Sequence, residues 1–228
     1  MKCLIYNVND FCGEKMTLKN GGVEIDGIVN SILEYIGKEG FQLVALQEFP
    51  INHKSGKKFI DEMNSRGFKE FHNNDIINYT SDGTSISIIF VHQNGNHVIR
   101  KVLEKNLRYV CLNVNGIDIL NVHATFDPTS PCSLEFIKQY RRTNIGLIFG
   151  DFNAGLYVKE KSPQNYSNYK EILDNGFTDI LASQSKEKIT TRFKTYIDHV
   201  LDKGVQFKTC TVDSTIKYSD HYPIILEY

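Results

Sequence analysis

The feature that most constrains the fold is the spacing of short apolar runs. "CLIYNV" (3–8), "QLVALQ" (42–47), "SISIIFV" (85–91), "YVCLNV" (109–114), "IDILNVH" (117–123), "IGLIFG" (145–150), "YIDHVL" (196–201) and "PIILEY" (223–228) are mostly β-branched and bounded by Gly, Asn, Asp or Pro. Runs of this length and composition read as strands. "NVNGIDILNV" (113–122) sets an Asn-Gly pair between two of them, which predicts a tight hairpin.

Helical periodicity is rarer. "VEIDGIVNSILEYIGKEG" (23–40) places Ile25, Ile28, Val29, Ile32, Leu33 and Ile36 on one face, with Gly37 or Gly40 available to end it. The stretches 56–67, 133–142 and 166–176 are shorter candidates. Many strands with few helices predict an α/β chain with two mostly antiparallel β-sheets packed face to face and helices on the outside. No repeat, low-complexity segment or linker divides the 228 residues, so a single domain over 1–228 is expected.

Charge narrows the function. The formal net charge is −1, from 26 basic and 27 acidic residues, so this is no basic scaffold that coats nucleic acid indiscriminately. Polyanion binding would have to come from a local patch or a bound cation. No apolar run approaches the ~20 residues of a membrane span. The opening "MKCLIYNVND" turns polar too soon for a secretory leader. A cytoplasmic monomer with no membrane partner is expected. Cys3, Cys12, Cys111, Cys132 and Cys210 are scattered and form no C-x-x-C pair, which predicts reduced thiols rather than a disulfide framework or a zinc site.

The strands end in a particular way. Asn7 and Asn9 close the first, and Gln47 and Glu48 close "LVAL". Asn121 and His123 close "IDIL", and Asp151 and Asn153 close "LIFG". Asp198 and His199 lie within "YIDHVL", and Ser219, Asp220 and His221 precede the last strand. Gathered on one side of the sheets, Glu48, Asp151, Asp198, Asp220, His123 and His221 would line one cleft. Carboxylates crowded together repel unless a cation neutralises them, and an oxygen-rich set favours Mg²⁺ or Mn²⁺ over zinc. Such a constellation suits hydrolysis of a phosphate ester. The tight-turn reading of "GDFN" stays open, because Gly, Asp and Asn are ordinary turn residues.

The series "IYNVN", "LQE", "NVH", "GDFN", "IDHV" and "SDHYP" resembles the endonuclease/exonuclease/phosphatase superfamily, which includes exonuclease III, the apurinic endonucleases and deoxyribonuclease I. The motifs stand in the family's order from Asn7 to His221, across nearly the whole chain. The resemblance implies a four-layered α/β sandwich and a metal-dependent phosphodiesterase that attacks with activated water. It implies that Glu48, with Asp220 and Asn7, serves the metal, Mg²⁺ or Mn²⁺. Asp151 and Asn153 would orient or deprotonate the water and hold the phosphate, both reaching one phosphorus if strand alternation continues past Phe152. His221 would contact the scissile phosphate, with Asp198 as its carboxylate partner. His123 matches a second histidine of the deoxyribonuclease I, sphingomyelinase and phosphatase branches. His199 should point away from Asp198, as strand alternation requires. Asp10 replaces a Gly common in the first motif, so the loop after the first strand should differ.

The substrate is less constrained. Asn9, Arg192, Lys194 and Tyr218 are candidate substrate contacts, Arg192 and Lys194 because they just precede "YIDHV". Arg100, Lys101, Lys105, Arg108, Arg141 and Arg142 are further basic candidates, each of which would ordinarily be a solvated face. A nucleic acid, DNA before RNA, is the leading substrate. A small-molecule or lipid-headgroup phosphoesterase is the alternative, and a non-catalytic binding protein on the same fold is a remote one.

Overall fold

The computed structural model describes residues 1–13, 25–72, 85–94, 99–101, 108–125, 145–155, 163–184 and 188–228. One six-stranded sheet contains β1 (Lys2–Asn7), β2 (Leu43–Pro50), β3 (Phe68–Phe71), β4 (Ser85–His92), β11 (Thr209–Val212) and β12 (Ile224–Glu227), in the order β11-β12-β1-β2-β4-β3. The other six-stranded sheet contains β5 (Ile99–Lys101), β6 (Tyr109–Val114), β7 (Ile117–His123), β8 (Ile145–Asp151), β9 (Thr178–Asp179) and β10 (Asp198–Asp202), in the order β5-β6-β7-β8-β10-β9. Each sheet has a parallel pair at its centre, β1 with β2 and β7 with β8. Every other pairing is antiparallel.

Alternation along the central strands builds the layers. Leu4, Tyr6, Val44 and Leu46 face outward onto α1 (Ile25–Glu39) and α2 (Lys54–Ser65), where they meet Val29, Ile32, Leu33, Ile36, Phe59 and Met63. Cys3, Ile5, Leu43 and Ala45 face the other way, against Leu112, Ile119, Leu147, Phe149 and Val200 of the second sheet. The outer face of that sheet, with Ile148 and Leu201, is covered by Tyr169 and Ile172 of α3 (Pro163–Asp174). Ile180 and Leu181 of the short α4 (Ile180–Gln184) join the layer between the sheets. Central strands buried on both faces explain why their sequences are continuous apolar runs. The result is the helix–sheet–sheet–helix sandwich expected from the sequence.

Details differ at the ends. The helix read over 56–67 begins at Lys54, because the His53 side chain caps it by accepting from the Ser55 N–H. The helix read over 166–176 begins at Pro163, a residue suited to a first helical turn. The stretch 133–142 and the basic candidates Lys105, Arg141 and Arg142 lie outside the described residues, as do the side chains of Arg100 and Lys101. Cys3, Cys12, Cys111 and Cys210 are free thiols. Among the described residues, no helix is long and apolar enough to cross a membrane.

Candidate active site

The topology gathers polar strand ends at one edge. β1 and β2 run together, as do β7 and β8, while β12 is antiparallel to β1 and β10 to β8. Carboxyl ends of four strands and amino ends of two therefore meet. That edge carries Asn7, Glu48, His123, Asp151, Asp198 and the residues leading into β12.

The backbone there is bent. Glu48 has φ +48 and sits where the pairing of β2 with β4 slips between Leu46 and Phe49. Asn9, Asp10, Phe11 and Asn153 also have positive φ, and only Asn115 and Lys194 join them among the described non-glycine residues. Left-handed conformations of this kind are held against their intrinsic preference and concentrate at functional sites. The loop after β1 is a left-handed turn over Asn9–Phe11, in which Asp10 accepts from Ser85 Oγ at 2.5 Å. Gly150 enters Asp151 with φ +126, and a Cβ there would lie 2.1 Å from the Val122 carbonyl oxygen, so only glycine fits.

Asp151 is the hub and is 2% exposed. Its Oδ1 accepts the Asn153 N–H at 2.8 Å, a local turn closed by a side chain. Its Oδ2 accepts from Asn7 Nδ2 at 3.1 Å, and Asn7 Nδ2 also lies 3.1 Å from Glu48 Oε1. Nε2 of His123 and Nε2 of His221 each lie 3.8 Å from the same Oδ2. Burial first, and the Asp198 charge second, push the Asp151 carboxyl up to about 7. Burial likewise raises Glu48, against the opposing hydrogen bond from Asn7.

The two histidines differ in charge. Nδ1 of His221 lies 2.9 and 3.0 Å from the two Asp198 oxygens. Burial alone would lower His221, but Asp198, then Asp151 and Asp220, outweigh it and raise it to about 10. His221 is therefore an imidazolium whose Nε2–H is turned toward Asp151. His123 is neutral. Burial, then the Arg108 and His221 charges, hold it well below its ordinary value. Nδ1 of His123 lies 2.6 Å from Arg108 Nη1, and a guanidinium can only donate, so Nδ1 accepts and the proton sits on Nε2. Nε2–H faces Glu48 Oε1 at 3.4 Å.

Sequence reasoning did not foresee how the supports beneath these groups are paired. Gln47 Nε2 donates to Asn121 Oδ1 at 2.6 Å, and Asn121 Nδ2 donates at 3.0 Å to the carbonyls of Leu46 and Ile88. This buried amide bridge ties β7 to the first sheet directly under the site. The signal was present, since Gln47 and Asn121 are polar residues inside apolar runs. Asn165 of α3, invisible as a site residue, donates to the carbonyls of Thr125 and Asn153. Arg108, one of the basic candidates for phosphate, is the partner of His123.

Other expected residues are placed differently. Phe152 is buried in the outer core as expected, but Asn153 is carried by the left-handed turn rather than by continued strand alternation, and its Nδ2 donates to the Ala124 carbonyl at 2.7 Å. Asn9 Nδ2 faces the Gly13 carbonyl at 3.3 Å within its own loop. The Asp220 carboxylate takes a bond from Ser219 Oγ at 3.3 Å and joins neither group of metal-compatible side chains. Tyr218 packs its ring against the first core. Arg192 and Lys194 sit on a turn beside the last motif and line a pocket with Lys217. His199 faces away from Asp198: its Nδ1 lies 2.7 Å from Asp179 Oδ2 and its Nε2 lies 2.7 Å from the Ala154 carbonyl.

Among the described residues, two groups are compact enough for a cation. Ligand atoms of Glu48, His123 and Asp151 lie within 4.8 Å of one another, as do those of Asp151, Asp198 and His221. The imidazoles are poor ligands here, since His123 Nε2 carries a proton and His221 is cationic. What remains are the hard oxygens of half-buried Glu48 and buried Asp151, two carboxyls that desolvation drives toward protonation and a divalent cation would relieve. Carboxylate oxygens of this kind suit a hard divalent cation.

No family model matches the chain, and no curated protein does. Solved structures do. A 3'-5' exonuclease from Neisseria meningitidis is 18% identical, with TM-score 0.69 over 100% of this chain and 99% of that one. An AP endonuclease from Archaeoglobus fulgidus is 17% identical, with TM-score 0.69 over 100% and 99%. D. rerio TDP2, complexed with single strand DNA product, is 11% identical, with TM-score 0.63 over 99% and 97%. At these identities the likeness establishes the fold, which is the one those proteins share along their whole length.

Proposed function

We propose that this chain is a member of the endonuclease/exonuclease/phosphatase superfamily and hydrolyses phosphodiester bonds of nucleic acid, DNA before RNA, with a divalent cation. The observation that carries the reading is the arrangement around Asp151 Oδ2: one amide donor and two imidazole N–H groups of different charge converge on one buried carboxylate. The exonuclease, AP endonuclease and DNA-product structures on the same fold support the choice of nucleic acid.

Glu48 and Asp151 would hold the cation, Mg²⁺ or Mn²⁺, which polarises the phosphate and offsets charge on the leaving oxygen. The Asp151 carboxylate, held beside that cation, would take a proton from the attacking water. The water oxygen bonds to phosphorus as the bond to the leaving oxygen breaks. His221, fixed as an imidazolium by Asp198, donates Nε2–H to the charge that builds on the phosphate oxygens. His123 donates Nε2–H beside Glu48, with Arg108 holding its tautomer. Asn7 aligns both carboxylates, and Asn153 and its turn fix Asp151 Oδ1 away from the reaction.

The test is turnover of plasmid, oligonucleotides, RNA and bis-p-nitrophenyl phosphate in Mg²⁺ or EDTA, with Glu48→Ala and His221→Ala alongside. EDTA-sensitive cleavage of DNA lost in both variants is expected. Turnover confined to small esters would move the assignment to a small-molecule phosphoesterase. No turnover of any ester would end the enzyme reading.

A further inference from the structure

The turn before β10 holds charge that the site above does not use. Ile189, Thr191, Arg192, Lys194, Val212, Ser214, Lys217 and Tyr222 line a half-open pocket of about 330 Å³, and no carboxylate is among them. Among the described residues, no acidic side chain pairs with Arg192, Lys194 or Lys217. Nε of Arg192 is buried and has no hydrogen-bond partner.

The pocket is built, not draped. Thr191 Oγ1 accepts the N–H groups of Phe193 and Thr195 at 3.2 and 3.3 Å, and the Lys194 N–H donates to the Thr191 carbonyl at 3.0 Å. Lys194 is held at φ +59. The same turn is bonded to the last motif: Thr191 bridges His221, and the Arg192 N–H donates to the Asp220 carbonyl at 2.9 Å. At its tip, Phe193 is 52% exposed, the one large apolar side chain so exposed among the described residues. The Arg192 guanidinium lies 4.6 Å from the centre of its ring. An exposed aromatic backed by a guanidinium, next to lysines, is the composition of a single-strand nucleic-acid contact, where bases stack and phosphates pair with cations.

We propose that this pocket is a second anion subsite that takes a non-scissile phosphate of the substrate strand, with a neighbouring base stacked on Phe193. The proposal rests on the nuclease reading. It assigns Arg192, Lys194 and Lys217 to phosphate and Phe193 to an unpaired base, so single-stranded or frayed ends bind better than intact duplex.

Binding is read by fluorescence anisotropy with a labelled single-stranded oligonucleotide in EDTA, where no turnover is needed. Arg192→Ala with Lys217→Ala should weaken binding at least tenfold and lower the slope of log affinity against log salt by about 1.4, the share of two cations on a single strand. Phe193→Ala should weaken it about tenfold with an unchanged salt slope, as loss of one stacked base does. Lys170→Ala, an exposed lysine on α3, is the control, and thermal melting checks that all variants fold. Affinity and salt slope indistinguishable from the parent in the cation variants would overturn the subsite. Equal displacement by inorganic phosphate and by unlabelled oligonucleotide would overturn the assignment to a strand. Tight, variant-sensitive binding without any hydrolysis in Mg²⁺ would leave the subsite standing and sink the nuclease reading instead.

Discussion

Asp198 and His199 are neighbours on β10, and each belongs to a buried histidine–aspartate pair, one on either face of the second sheet. Asp198 holds His221 at 2.9 Å, and His199 is held by Asp179 at 2.7 Å. In both, the carboxylate outweighs burial and raises the imidazole. The pairs differ at the second nitrogen. Nε2 of His199 ends on the Ala154 carbonyl, and Asp179 also accepts from the hydroxyls of Tyr169 and Tyr196, so every polar group of that pair is satisfied inside the protein. Nε2 of His221 lies 3.8 Å from Asp151 Oδ2, too long for a hydrogen bond, and no other described residue supplies it an acceptor. The same two residue types thus make a strut on one face and a chemically available cation on the other. What distinguishes them is whether the fold has already supplied the second acceptor.

Crossing the two pairs should separate activity from stability. Per folded molecule, His221→Ala is expected to lower kcat by about 10²–10⁴-fold, the range of a lost proton-transferring or charge-stabilising group, on top of the stability lost by leaving buried Asp198 unpaired. A variant that keeps more than a tenth of parent kcat would remove His221 from the reaction. His199→Leu should cost stability without that loss of chemistry. It strands the Asp179 charge in the core, a loss of about 3–5 kcal/mol in denaturant unfolding, while activity per folded molecule falls far less than in His221→Ala. The double variant His199→Leu with Asp179→Leu should be more stable than His199→Leu alone, because no unpaired charge then remains. Additive losses would contradict the strut.

How much of this was visible in the chain depends on range. Asp198 and His199 could be placed on opposite faces from alternation alone, and Asp151, Glu48, His123 and His221 could be gathered because each closes an apolar run. Asp179 could not be recognised, since "FTD" reads as the end of a loop and its partner lies 20 positions away on another strand. Which residue pairs with Gln47, and which with Arg108, was hidden for the same reason, because a hydrogen bond between distant elements leaves no local pattern. The edge strands β3, β5, β9 and β11 have two to four residues each, too short for periodicity to register. Asn153 was matched to its neighbour by strand alternation, but a positive φ of 47 means a turn aims it, a backbone state that sequence alone signals weakly in Asn.

The smallest expected effect bears on the charge states. A folded pKa raised above the unfolded value contributes stability that is present below the unfolded pKa and lost as pH rises through the folded one. For His199 that window opens near its ordinary 6.5, and for Asp179, which is lowered, stability is present above 3.8 and lost only as pH falls below it. The strut should therefore be at full strength between about pH 4 and 6.5. Asp151 obeys the raised-group rule from 3.8 up to about 7, so its ionisation on the way to neutral pH destabilises the metal-free fold. Asp151→Asn removes that ionisation. Relative to the parent, it should gain about 2–3 kcal/mol between pH 5 and pH 8 in EDTA, measured by urea unfolding at each pH. Mg²⁺ should shrink the gap by stabilising only the parent, through a cation that the neutral amide holds less well. A gap that is flat with pH would mean that Asp151 is already an ordinary carboxylate in the empty site. In that case its crowding by Glu48 and Asp198 would not be what draws a cation to this edge and leaves the satisfied pair on the opposite face alone.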